Sequence, residues 1–172
     1  MLACVRPPVL AGPPLGAQAD LLRVLSEAKA PPSRCCVHCF TGSEAELREL
    51  LSLGFVVGIT GFVCKAERGA ALRRALTTLG GEMGAKRVAG QLVVETDAPY
   101  MRPPDGVLRA TSKRGGGAPF AKGRDSEPAM TAAVCRTVAD CLDMPHAALA
   151  AATTDNAHRL FFGGEPKVAL PG

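Results

Sequence analysis

Three short apolar runs, each closed by a turn and followed by a helix-forming stretch, set the tightest limit on what this chain can fold into. They are residues 35–40 (CCVHCF), 55–60 (FVVGIT) and 91–96 (QLVVET). Each is strand-length and apolar on both alternating faces, the pattern of a strand buried from both sides. Such strands belong to parallel sheets whose crossover connections are helices, so the expected class is α/β. A fourth, weaker strand candidate is Val9 to Ala11, crowded by prolines at both ends.

The intervening stretches carry helix signals. Leu21, Leu22 and Leu25 share a face over residues 20–29. Ser43 followed by Glu46 matches a capping box, Leu47, Leu50 and Leu51 form the apolar face behind it, and Gly54 suits the stop. Residues 61–65 are expected as loop and 66–79 as helix. Residues 101–125, with Gly115-Gly116-Gly117 and six basic residues against two acids, read as a long irregular loop. Residues 127–142 read as a helix, and 145–152 and 156–162 as two short closing helices, the first opened by Pro145.

Composition narrows the class further. At 172 residues and 47% hydrophobic content the chain can bury a core. A net charge of +4 permits a polyanionic partner without requiring one. Seven cysteines, an odd number at irregular spacing, are expected as reduced thiols of a cytoplasmic protein, with nucleus or organelle as alternatives. No run approaches the ~20 apolar residues of a membrane span. The first eighteen residues lack acids and carry Arg6, but one arginine is too little to make them a transit peptide.

In parallel α/β folds functional side chains collect at the C-terminal ends of strands. His38 lies near the end of the first run and Asp97 directly after the last. An imidazole and a carboxylate on neighbouring strand ends can share a metal or a substrate water. A histidine with a satisfied ring in the core, and an aspartate capping the turn into Ala98-Pro99, describe the same spacing, which leaves both readings open. Glu95 shares a face with Asp97 only if the strand continues. Cys36 and Cys39 form a CxxC, but a single pair on a strand points to opposite sides and is not expected to bind zinc or cycle redox. Cys135 and Cys141 read as small core residues, His146 and His158 as surface or capping residues.

Residues 38–43 (HCFTGS), 54–61 (GFVVGITG) and 94–100 (VETDAPY), in this order, resemble successive blocks of the TatD family of metal-dependent deoxyribonucleases. Residues 124–129 (RDSEPA) and 154–161 resemble that family's later blocks. The resemblance implies a (β/α)8 TIM barrel of the metallo-dependent hydrolase type, represented here by a C-terminal half with about four parallel strands. The implied divisions are a degenerate N-terminal segment (1–33), the half-barrel (34–163) and a tail (164–172). It implies phosphodiester hydrolysis of DNA with a divalent cation, Mg²⁺ first, Mn²⁺ or Zn²⁺ as alternatives. His38 and Asp97 become metal ligands, with Asp97 also activating water, while Arg102, Arg124 and Tyr100 become substrate contacts. The family's His-x-His pair, its mid-barrel Glu and its fifth-strand His have no counterpart; residues 7–12 stand where the fifth strand would be. The expectation is therefore a fragment of a nuclease with an incomplete site. A degenerate paralogue, a chain completed by another chain, and another hydrolase of the same barrel group are the alternatives.

Overall fold

The computed structural model describes residues 9–11, 17–115, 120 and 122–163. Four strands, β1 (Val9–Ala11), β2 (Cys36–His38), β3 (Val56–Ile59) and β4 (Leu92–Val94), form one sheet in the order β1-β2-β3-β4. Every neighbouring pair is parallel, with Val9 opposite Cys36, Cys36 opposite Val56, and Val57 opposite Leu92. The fold is thus α/β with sequential parallel strands, which short connections allow only through crossover segments on the sheet's face.

Alternation along the strands divides the sheet into two faces. Val37, Val57, Ile59 and Leu92 enter the main core, where they meet Leu47, Leu50, Leu72, Leu76, Leu79, Val138 and Leu149 from the helices. Burying each such leucine contributes about 1.5–3 kcal/mol. Cys36, Val56 and Val93 point to the other face and form a smaller cluster with Leu160.

The helices are α1 (Gln18–Glu27), α2 (Glu44–Leu53), α3 (Ala70–Leu79), α4 (Ala85–Ala89), α5 (Asp105–Gly115), α6 (Thr131–Cys141) and α7 (His146–Phe162). In α2 the Ser43 hydroxyl accepts from the Glu46 amide, and the Glu46 carboxylate accepts from the Ser43 amide at 2.7 Å. Gly54 closes that helix at φ 89°, a left-handed conformation that glycine adopts without a Cβ clash. α1 joins the main core through Leu25, with Leu21 and Leu22 packed against it.

The structure departs from the sequence expectations in four places. Residues 61–64 form a 3-10 turn rather than a loop. α3 starts at Ala70, not 66, because Arg73 turns back to donate to the carbonyls of Val63, Lys65 and Ala66 and fixes the preceding segment as a turn. The stretch expected as an irregular loop contains α5, with Asp105 in its first turn and Lys113 and Arg114 in its last, the charge order that suits the helix dipole. The two closing helices are one, since Thr153 folds its hydroxyl back onto the Leu149 carbonyl and continues the helix. The expected N-terminal start at 1–8, the tail at 164–172 and Gly116-Gly117 lie outside the described residues.

Among the described residues no helix is long and apolar enough to cross a membrane.

Candidate metal centre

The polar side chains at the C-terminal end of the sheet come from β2, β3 and β4. His38 is the last residue of β2, on the face shared by Cys36, Val56 and Val93. Gly58 of β3 lies on that face too, paired with Val93 of β4. Beyond β4 the ladder continues for one more bond, from the Glu95 amide to the Ile59 carbonyl at 3.0 Å. That bond keeps Glu95 on the same face as Val93. Its carboxylate then crosses over Gly58: a Cβ added there would stand 2.4 Å from Glu95 Oε1. Glycine inside a strand marks such a close approach.

Glu95 reaches β2 with both oxygens. Its Oε2 lies 2.8 Å from His38 Nδ1, and Oε1 accepts from the Cys39 amide at 2.8 Å. The carboxylate accepts only, so the proton of a neutral His38 ring sits on Nδ1. Nε2 then presents a lone pair toward Asp97, whose Oδ1 is 3.6 Å away. Asp97 arrives there through a turn: its φ is 54°, and its carbonyl accepts from the Tyr100 amide at 2.7 Å. Cys39 also adopts a positive φ, 52°, which swings its side chain off the strand's alternation. Its Sγ lies 3.8 Å from Asp97 Oδ2 and 3.8 Å from the Thr60 hydroxyl.

His38, Cys39 and Asp97 offer a nitrogen, a sulfur and an oxygen within 4.8 Å of one another. Ligands held at 2.0–2.3 Å from one ion stand at most about 4.6 Å apart, so these residues fit a shared divalent cation with little rearrangement. Electrostatics favour the same occupant. An imidazole lone pair faces a carboxylate here, and a cation between them relieves the repulsion. Burial raises the Cys39 thiol above its usual value; the Thr60 hydrogen bond opposes this, while the charges of Asp97 and Glu95 add to it. Cys36, behind His38 on the strand, is pushed up to about 12 by burial first, then by Glu95 and Cys35.

The other expected site residues are placed differently. Tyr100 is 70% exposed beside the Asp97 turn. Arg124 is exposed on the segment that returns to the sheet, where the Ser126 amide donates to the Pro99 carbonyl. Arg102 is buried. Its guanidinium donates to the Gly123 carbonyl and to Asp105, both at 2.8 Å, and clamps the returning segment to α5. Glu95, Gly58 and Thr60 were not singled out as site residues from the sequence. The signal that could have found the first two is a glycine in a buried strand with an acidic residue two positions beyond its partner on the next strand, on the same face.

Comparison with known proteins gives the chain's family. The model of the TatD related DNase family matches residues 15–162. A protein of Citrobacter rodentium named 3'-5' ssDNA/RNA exonuclease TatD is 37% identical over 125 residues, 73% of this chain and 40% of that protein. A protein of the same name from Musicola paradisiaca is 36% identical over 129 residues, 75% of this chain and 42% of that one. The chain thus spans about 40% of the length of these curated relatives. Among solved structures, a TatD homologue of Escherichia coli K12 superposes with a TM-score of 0.65 at 22% identity, over 90% of this chain and 49% of that one. An uncharacterized amidohydrolase of Saccharomyces cerevisiae gives 0.66 at 18% identity, over 89% and 53%. These likenesses show a shared fold, and with the family match over most of its length the chain belongs to the TatD-related DNase family.

Proposed function

We propose that this chain carries the C-terminal part of a metal-dependent nuclease that hydrolyses phosphodiester bonds of DNA, its four strands being one half of an eight-stranded (β/α)8 barrel. The observation that carries this reading is the convergence of His38, Glu95 and Asp97 from the ends of β2 and β4. His38 Nε2 and the Asp97 carboxylate are the groups that would hold a divalent cation. An imidazole donor suits Mn²⁺ or Zn²⁺ as well as the Mg²⁺ expected of an oxygen-rich site. The cation supplies charge against the phosphoryl oxygens and acidifies water.

The chain's own groups do the rest. Glu95 fixes the ring of His38 and its tautomer, as carboxylates behind metal-binding histidines generally do. Asp97, with one oxygen toward His38 and the other toward Cys39, accepts the proton of the attacking water. Tyr100 and Arg124, both exposed near this end of the sheet, contact the phosphate backbone. The test is cleavage of a DNA oligonucleotide by the intact protein in Mg²⁺ or Mn²⁺. Activity abolished by chelation and by Asp97→Ala is the expected result; activity surviving Asp97→Ala refutes the assignment of that residue.

A further inference from the structure

A cavity of about 430 Å³ lies between α5 and residues 120 and 122, and the chemistry above does not use it. Its walls are α5 and, beyond it, Phe120 and Lys122, and the chain before α5 and after Lys122 is anchored at the Asp97 end of the sheet. α5 leaves from the turn after Asp97, and the returning segment is tied back by the Ser126 amide to the Pro99 carbonyl and by the Ser126 hydroxyl to the Thr96 carbonyl. The cavity's floor is apolar: Leu108 is buried in a small cluster with Met130 and Ala133, and the ring of Phe120 packs partly exposed against it. Its rim is cationic. Arg109 and Lys113 stand one turn apart on α5, and Lys122 comes from the opposite wall; all three are exposed.

That rim is uncompensated. Asp105, the acid one turn before Arg109, is already held by Arg102 at 2.8 Å. Among the described residues no acid pairs with Arg109, Lys113 or Lys122 within ion-pair distance. Two like charges at i and i+4 destabilise a helix, and a bound anion removes that cost. An apolar floor with a partly exposed aromatic ring beneath a cationic rim suits a flat base on the ring and phosphates on the cations. The volume also falls in the range of small-ligand sites.

We infer that the cavity between α5 and Phe120 is a nucleotide subsite, which seats one base and its flanking phosphates of a single-stranded nucleic acid whose neighbouring phosphodiester lies at His38 and Asp97. Single strands are specified because a duplex keeps its bases stacked inside and offers none to Phe120. The inference rests on the nuclease reading for the direction of the strand, but its binding chemistry stands apart from the metal.

The test is fluorescence anisotropy of the full chain with a labelled single strand of about 12 nucleotides, in EDTA so that nothing is cleaved. The Arg109→Glu/Lys113→Glu pair is expected to weaken binding at least tenfold. It should also flatten the log affinity against log salt slope by about 1.4, since each phosphate contact on a single strand contributes about 0.7. Phe120→Ala should weaken binding by roughly five- to a hundredfold, the range of one lost base stack, without changing the salt slope. Lys86→Glu/Arg87→Glu, which reverses the same charge on exposed residues of α4, at the entry end of β4 opposite to His38 and Asp97, should leave affinity within about twofold, because surface charges beyond the screening length contribute little. Wild-type chain that does not bind, pocket variants that bind like wild type, or a control pair that weakens binding equally would each overturn the subsite. Unaltered binding by the pocket variants together with cleavage lost in Asp97→Ala sinks this inference and leaves the nuclease reading standing. Weakened binding together with cleavage that survives Asp97→Ala does the reverse.

Discussion

Gly58→Ala is the sharpest probe of how the site is held. The added Cβ would stand 2.4 Å from Glu95 Oε1, 3.1 Å from its Cδ and 3.3 Å from the His38 Cα. The first distance is about 1 Å inside ordinary contact. The strand cannot retreat, since Gly58 is locked in register with Val93 and its carbonyl accepts from the Phe40 amide at 3.0 Å. The Glu95 carboxylate must move instead, and it then gives up its 2.8 Å contacts with His38 Nδ1 and the Cys39 amide. Hydrogen bonds to a charged group are worth about 1.5–3 kcal/mol each, and water at this half-open site replaces part of that. The alanine backbone returns about 0.5–1 kcal/mol by narrowing the unfolded ensemble. The net stability loss comes to about 1–3 kcal/mol. Freed of its carboxylate, His38 loses its fixed tautomer, and cation affinity should fall about 10–100-fold. Calorimetric titration with Mn²⁺ or Zn²⁺ measures the affinity, and urea unfolding the stability. If the effect travels through Glu95, Gly58→Ala adds nothing to metal affinity in a Glu95→Ala background. Full additivity in that double mutant, or unchanged affinity in the single one, refutes the coupling.

Asn156 is 3% exposed and its amide donates to the carbonyls of Ala89 and Leu92, at 2.8 and 2.7 Å, tying α7 to the entry of β4. Asn156→Ala strands both acceptors and should cost about 2–4 kcal/mol in chemical unfolding; a loss under 1 kcal/mol would mean that water replaces the amide. The thiols set an alkaline limit. Burial raises Cys36 to about 12 and Cys135 and Cys141 to about 11 from 9.0, so the folded state keeps protons that the unfolded state releases. Stability should therefore be complete below pH 9 and fall as pH rises through 9 to 12, by about 1.4 kcal/mol per pH unit for Cys36. A Cys36→Ala chain should fall less steeply, and an equal slope in both proteins would contradict the assignment.

The sheet was legible from sequence because its strands are apolar on both faces, a pattern that no surface element shares. Residues 35–40, 55–60 and 91–96 contain β2, β3 and β4, and Val9 to Ala11 is β1. The α2 cap was equally plain, since Ser43 and Glu46 act through local geometry that needs no tertiary partner. α5 was hidden by weak helix formers, Gly106, Thr111 and Ser112, and by the glycines after it. Its start and stop signals were present all the same, in Pro103-Pro104, Asp105 and the terminal Lys113-Arg114. The two short helices expected at 145–152 and 156–162 left out Thr153-Thr154-Asp155, residues that bond readily to the backbone; here the Thr153 hydroxyl bonds to the Leu149 carbonyl inside one continuous α7.

The site was legible only as types and places, and the reason is the backbone after the strands. Alternation puts Cys36 and Cys39 on opposite sides, and it ties Glu95 to Asp97 only if β4 runs on. In the fold Cys39 and Asp97 both sit at positive φ, 52° and 54°. Both are therefore released from strand parity and turned toward His38, whereas Glu95 keeps parity through its bond to Ile59. Two rules thus operate within three residues, and no periodicity argument can give both. A non-glycine residue at positive φ is uncommon and strained, and such strain persists where surrounding contacts over-determine it. Those contacts are on hand: the Cys39 amide is held by Glu95, and the Asp97 carbonyl by Tyr100. Glu95 consequently orients His38 and fixes the backbone that delivers Cys39, so it acts on two of the three candidate donors while offering none itself.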